Sequence, residues 1–231
     1  MTKVKLFLLL TLITVFTSGC SHALRITNKD NFFTPPPIPA RESIKIGIMS
    51  GNSANKDDSR YVLAIIQSLQ NQSGGMIEKV IYPFNPAVHQ GQADMLLDIS
   101  IAPKYSGKTS NFFVNWPGFL IWAPAIWGYG YQADINTTIN IQNLKTTNAK
   151  QITVPTTFEF REAEIDRTWT ELGWLEVSLI PFFGGFAFTQ YDPDVTDDFI
   201  TKVSPTYGPF VTSKILEAIP EVNGNKKPES Q

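Results

Sequence analysis

Cysteine is almost absent from this 231-residue sequence. Cys20 stands alone, so no disulfide forms within the chain and no cysteine-based metal cluster can be assembled. Histidine is nearly as scarce: His22 and His89 are the two, and they do not have metal-ligand spacing. Charged residues make up 17%, below the roughly 25% of ordinary soluble domains. Basic residues number 19 against 21 acidic, with no basic run before the C-terminal tail, which excludes nucleic acid as a partner. Ser50 and Ser53 lie near Gly47 and Gly51, but Gly-x-Ser-x-Gly does not occur and no Walker lysine follows, so the stretch reads as a plain strand-to-helix turn. These gaps point away from an enzyme, and nothing in the sequence implies a cofactor.

Aromatic residues are plentiful, at 12%, with 16 Phe and 5 Trp. Little charge and many aromatics mean a large core, or a surface that meets lipid or protein. The N-terminus has the composition of a leader. Lys3 and Lys5 precede an uninterrupted stretch of apolar residues and Thr from Leu6 to Phe16, too short to span a bilayer. Thr17-Ser18-Gly19-Cys20 follows. This resembles the lipobox of bacterial lipoprotein precursors, with Thr17 departing from the usual Leu or Val. A plain signal peptide or a short anchor helix is the other reading. The resemblance implies that residues 1–19 are removed and that Cys20 is acylated with palmitate-type chains. It also implies anchoring at the periplasmic face of the outer membrane, since Ser21 rather than Asp follows the Cys; an inner-membrane lipoprotein is the alternative. Losing Lys3 and Lys5 leaves 17 basic and 21 acidic residues, a formal charge of −4.

Residues 20–42 read as a tether. Thr34-Pro35-Pro36-Pro37-Ile38-Pro39 favours extended polyproline structure, and Phe32 and Phe33 either dock on the domain or dip into lipid. A single periplasmic domain is expected over 43–220. A strand over Ile44 to Met49 leads through a polar loop to a helix from about Asp57 to Gln72, with Val62, Ile65, Ile66 and Leu69 on one face. Gly74-Gly75 stops it. Strands follow over Ile77 to Phe84, over Ala93 to Ile101 ending near Pro103, and over Ala133 to Ile141, where apolar residues alternate with Asp134, Asn136, Thr138 and Asn140. A polar turn around Lys145 to Lys150 precedes a strand from Ile152 to about Ile165, with Phe158 and Phe160 on one face. Val195 to Val203 reads as one helix, and Pro205 opens another carrying Tyr207, Val211, Ile215 and Ile219. Residues 221–231 read as a disordered polar tail.

This order predicts an α+β fold: a mixed sheet with helices mainly on one face, plus apolar, aromatic-rich insertions. Ala93-Asp94-Met95-Leu96-Leu97, after a first strand and helix, resembles the pattern of the TolB N-terminal domain, the periplasmic regulators of peptidoglycan synthases and the curli secretion lipoprotein CsgG. The resemblance covers about residues 44–142 and 205–219. Residues 103–132 and 166–195 fall outside it and are expected to be insertions.

The first insertion holds twenty uncharged residues, Phe112 to Tyr131, with Trp116, Trp122, Trp127, Tyr129 and Tyr131. Its length suits a membrane span, but Pro117 and Pro124 argue against a straight helix, and Trp and Tyr favour a lipid–water interface. The second, Leu172 to Phe188, carries Phe182 and Phe183 and one charge, Glu176. Three destinations are open: packing over the sheet, entry into a membrane, or contact with a partner protein. Trp116, Trp122, Trp127, Tyr129, Phe182 and Phe183 are the candidate contact residues.

Two polar clusters remain. Asp192, Asp194, Asp197 and Asp198 lack EF-hand spacing and suit the N-terminus of a helix. Glu159, Glu162, Glu164 and Asp166, with Arg161 and Arg167, read as a mixed-charge exposed strand face. His89 reads as a solvent-facing loop residue. The expected function is non-enzymatic: a lipid-anchored envelope protein that binds an envelope partner or supports assembly. The rival is an oligomeric, membrane-inserting secretion or pore component that uses the aromatic insertions, as the CsgG resemblance implies.

Overall fold

The computed structural model describes residues 23–34, 43–50, 56–72, 74–115, 128–163 and 188–224. Cys20, Trp116, Trp122, Trp127, Phe182 and Phe183 lie outside them. The strands are β1 (Ala23–Ile26), β2 (Ile44–Ser50), β3 (Ile77–Ile81), β4 (Met95–Gly107), β5 (Tyr129–Asn143) and β6 (Ala149–Ala163). The described helices are α1 (Lys56–Gln72), α2 (Asn111–Asn115) and α3 (Thr196–Val222). The six strands form one sheet in the order β1-β6-β5-β4-β2-β3. β2 runs parallel to both β3 and β4, and β1 runs antiparallel to β6. The α+β class with a mixed sheet is therefore observed.

The chain gathers into two compact units. One comprises residues 28–104, 134–157 and 197–231, the other residues 1–27, 105–133 and 158–196. We call them the helix-covered unit and the aromatic unit. β4, β5 and β6 each contribute residues to both.

The helix-covered unit is built by periodicity. Val62, Ile65, Ile66 and Leu69 of α1 are buried, as their helical spacing predicts. Met95, Leu97, Ile99 and Ile101 of β4 alternate with less buried residues, as do Ile135, Thr137, Ile139 and Ile141 of β5. Burying one such side chain stabilises by roughly 1.5–3 kcal/mol, so this regular face accounts for much of the fold. α3 closes over it: the Thr137 and Tyr207 hydroxyls lie 2.6 Å apart, and Tyr207 packs edge-on to Tyr61 at 5.2 Å. α1 and α3 approach so closely at Gly208 that a Cβ there would lie 2.5 Å from the Ala64 carbonyl oxygen. At the end of the β5–β6 hairpin, Asn143 Oδ1 accepts from the amides of Lys145 and Thr146, and Asn143 Nδ2 donates to Asn223.

Several expectations are corrected. α3 is one helix from Thr196 to Val222, not two, and it contains Pro205, Pro209 and Pro220. Each proline removes a backbone donor, yet Val203, Tyr207, Val211, Ile215 and Ile219 are buried along the whole length, and that burial holds the helix together. The helix also takes in residues expected to start the tail. β4 passes through Pro103 to Gly107, because β2 pairs with it only as far as Ile99 and leaves that side without a ladder to break. Residues 103–107 and 129–132 thus belong to strands rather than to an insertion. Within the expected tether, Ala23–Ile26 is a strand, and Phe32 packs edge-on to Phe210 at 5.2 Å, while Phe33 is 75% exposed. Glu162, expected on an exposed strand face, is buried.

Candidate functional site

Asp192 and Asp197 of the acidic cluster take structural roles, while Glu164, Asp166 and Arg167 lie outside the described residues. Asp192 caps a 3-10 turn by accepting from the Asp194 amide at 3.0 Å. Asp197 pairs with Arg60, which also donates to Thr201 Oγ1 at 2.8 Å. His89 Nδ1 accepts from the Asn85 amide at 3.1 Å, its ring against Phe84. Asp94 of the Ala93-Asp94 pattern meets Lys145 Nζ at 2.6 Å and accepts from the Lys45 amide at 2.9 Å. The hydrogen bond from Lys145, followed by that from Lys45, holds its carboxyl below the usual range. It therefore staples β2 to the hairpin turn. Among the described residues, no group of three or more His, Cys, Asp or Glu could hold a metal ion.

The aromatic unit contains a different kind of arrangement. Tyr129 stacks on Phe188 at 5.1 Å with 4° between the ring planes, and both are fully buried. Tyr131 touches Phe160 at 5.3 Å and meets Tyr191 edge-on at 5.5 Å. Tyr105 stacks on Tyr191 at 4.9 Å. Such ring pairs contribute about 0.5–1.5 kcal/mol each beyond the area they bury. Burial in this stack pushes the Tyr191 hydroxyl far above its usual range, only partly offset by its hydrogen bond to Thr196 Oγ1 at 2.9 Å.

Asn111 organises the cluster. Its fully buried amide donates to the Gly130 carbonyl at 2.8 Å and to the Phe188 carbonyl at 3.0 Å, and its Oδ1 accepts from the Gly130 amide at 2.7 Å. Nearby, Gly128 has φ +67°, and a Cβ on it would lie 2.8 Å from the Glu162 carbonyl oxygen. Residues 111 and 128–131 bound the first apolar segment and Phe188 ends the second, whose start at Leu172 lies outside the described residues, nine residues beyond the end of β6. Asn111 thus holds both ends of the first segment and the C-terminal end of the second at one place, with Gly128 beside the end of β6. Phe113, in α2 beside this base, is 71% exposed.

Of the sequence-predicted contact residues, Tyr129 is the one described, and it lies within the stack. Sequence reasoning missed Asn111, whose partners are 19 and 77 residues away and leave no local signal.

No family model matches this chain, and no curated protein matches it. Solved structures that resemble it include two crystal forms of the PelC dodecamer from Paraburkholderia phytofirmans. One, a point variant, is 9% identical with a TM-score of 0.28 over 74% of this chain and 100% of that chain. The other is 9% identical with a TM-score of 0.28 over 82% of this chain and 97% of that chain. A likeness of this degree concerns the course of the backbone and carries nothing about function. No described helix is long and apolar enough to cross a membrane, which says nothing of strands.

Proposed function

We propose that this chain is a non-enzymatic envelope lipoprotein, acylated at Cys20, that delivers its two apolar segments side by side into the membrane as part of an oligomer. The observation that carries this reading is the gathering of both ends of the first segment and the C-terminal end of the second around Asn111. Two apolar, aromatic-rich stretches, the first uncharged and the second with Glu176 alone, suit paired insertion from a braced base. Left in water, that much apolar surface would be costly. The acyl chains supply the anchoring that such short elements lack, at roughly 0.8 kcal/mol per buried CH₂.

The test is tryptophan fluorescence of the Cys20→Ser chain with vesicles of brominated lipid, comparing wild-type segments with Trp122→Phe and Trp127→Phe. Strong quenching assigned to these positions is expected. Blue-shifted emission without quenching would overturn insertion. It would favour a second reading, a partner-binding or assembly module, which the burial of Tyr129 and Phe188 within the chain supports. Sizing separates the readings again: a detergent-dependent oligomer is expected for insertion, a soluble monodisperse domain for a binding module.

A further inference from the structure

The connection from β3 to β4, residues 82–94, crosses β2 and is tied to it at both ends. The Phe84 amide donates to the Ile48 carbonyl at 2.9 Å, and the Asp94 amide to the Lys45 carbonyl at 2.8 Å. Phe84 is buried, so close to β2 that a Cβ on Gly47 would lie 2.5 Å from its ring. The ring fills the place that a side chain at residue 47 would take. Beyond it, Asn85 shapes the crossing. Its carbonyl accepts from the Val88 and His89 amides at 3.1 and 2.9 Å, and its Oδ1 accepts from the Ala87 amide at 3.0 Å.

One bond in this crossing depends on a proton. The Asn85 amide donates to His89 Nδ1 at 3.1 Å, and the same ring lies 5.5 Å from that of Phe84. Nδ1 accepts only while its lone pair is free, so the bond requires a neutral ring with its proton on Nε2. In the imidazolium form Nδ1 carries a hydrogen of its own. Donor then meets donor, and the bond is lost. Residues 82–93 carry no charged side chain, and Tyr82 is their other titratable group. On the strands the segment crosses, Lys45 pairs with Glu78 and Asp94 pairs with Lys145. Among the described residues, His89 forms no ion pair with any of these, nor with Lys79 or Asp98.

We propose that residues 82–94 form a proton-released strap: with His89 neutral it is closed over β2, and with His89 protonated the turn at Asn85 opens and Phe84 leaves Gly47. Histidine changes charge between about pH 5 and 8, so closure is complete at the upper end of that range and is lost as pH falls through it. Opening adds Phe84 to Val88, which is already 66% exposed, and uncovers Gly47 beside the half-buried Met49. Two apolar side chains next to an uncovered strip of strand form a surface for a partner in an acidified medium. The strap needs neither acylation nor the apolar segments.

The test is hydrogen exchange of the full chain at about pH 7.5 and about pH 5.5, corrected for the intrinsic pH dependence of exchange. Amides of residues 84–89 should exchange about tenfold faster at the lower pH, as the loss of one hydrogen bond implies, while α1 keeps its protection. Two variants isolate the cause. Asn carries Oδ1 where histidine carries Nδ1, so His89→Asn should stay protected at both pH values. Gln carries its acceptor one bond further out, so His89→Gln should exchange fast at both. Unchanged protection of the wild type on acidification, the same acceleration in His89→Asn, or slow exchange of His89→Gln at the higher pH would each overturn the strap. Loss of protection in α1 at the lower pH would overturn it as well, since the opening would then be general acid unfolding and not a local release.

Discussion

The two units reach stability by different means. In the helix-covered unit, aliphatic side chains recur at 3.6 or 2 residues and interdigitate between α1, α3 and the sheet. The aromatic unit confines a period of two to Phe158, Phe160 and Glu162 of β6. Stacked rings fill it, and one buried amide, Asn111, ties together backbone that is distant in sequence. A periodic core tolerates change by repacking, whereas a core closed by one hydrogen-bonded hub depends on that hub. The difference suits the proposed roles: a scaffold on one hand, a braced exit for two apolar segments on the other.

The largest effect expected from breaking this contrast comes at a close backbone approach. Gly208→Val would force its side chain against the Ala64 carbonyl and should cost about 3 kcal/mol, lowering the whole thermal transition. Gly128→Val, strained by its positive φ and set against Glu162, should instead loosen the aromatic unit alone. Near-UV circular dichroism should fall in that variant while the far-UV helical signal holds. Loss of both signals together would show the two units to be one cooperative block.

Next come Leu69→Ala and Asn111→Ala. Leu69 is fully buried, and its truncation should cost about 2–5 kcal/mol. Removing the Asn111 amide strips partners from the Gly130 amide and the Phe188 carbonyl, for about 2–4 kcal/mol. Hydrogen exchange sharpens the comparison. Asn111→Ala should speed exchange at Gly130 and leave α1 protected, and Leu69→Ala should do the reverse. Equal acceleration everywhere in both variants would contradict a hub confined to one unit.

The smallest effect is a pH dependence. Burial raises the Tyr191 hydroxyl in the folded state, so its contribution is complete below the unfolded value near 10 and is lost as pH rises towards the folded value. Asp94 behaves oppositely: its lowered carboxyl stabilises above the unfolded value of 3.8, and that support drains away as pH falls. Denaturant midpoints measured from pH 9 to 11 should decline, with a shallower slope in Tyr191→Phe. Identical slopes would remove Tyr191 as the cause.

The helix-covered unit was the more legible from sequence, for a physical reason. Its period writes the burial of Val62, Leu69, Ile139 and Ile141 directly into the residue order. α3 was misread as two helices because proline is a local helix breaker, and only tertiary burial of Tyr207 and Val211 shows why Pro205 and Pro209 are tolerated. β1 was lost because Ala-Leu-Arg-Ile is too short to show alternation and lies beside a proline run. The candidate site was legible as two apolar stretches but not as one place, since Asn111 acts across 77 residues.

The docked Phe32 alters the mechanics of the proline-rich stretch. With Phe32 held on Phe210 and Ile44 set in β2, the chain is fixed on both sides of the proline-rich stretch. Spacer residues added between Pro35 and Pro39 should therefore leave both attachments in place. In the proposed lipid-anchored form, the same residues added between Cys20 and Ala23 should instead lengthen the link from the acyl chains to β1.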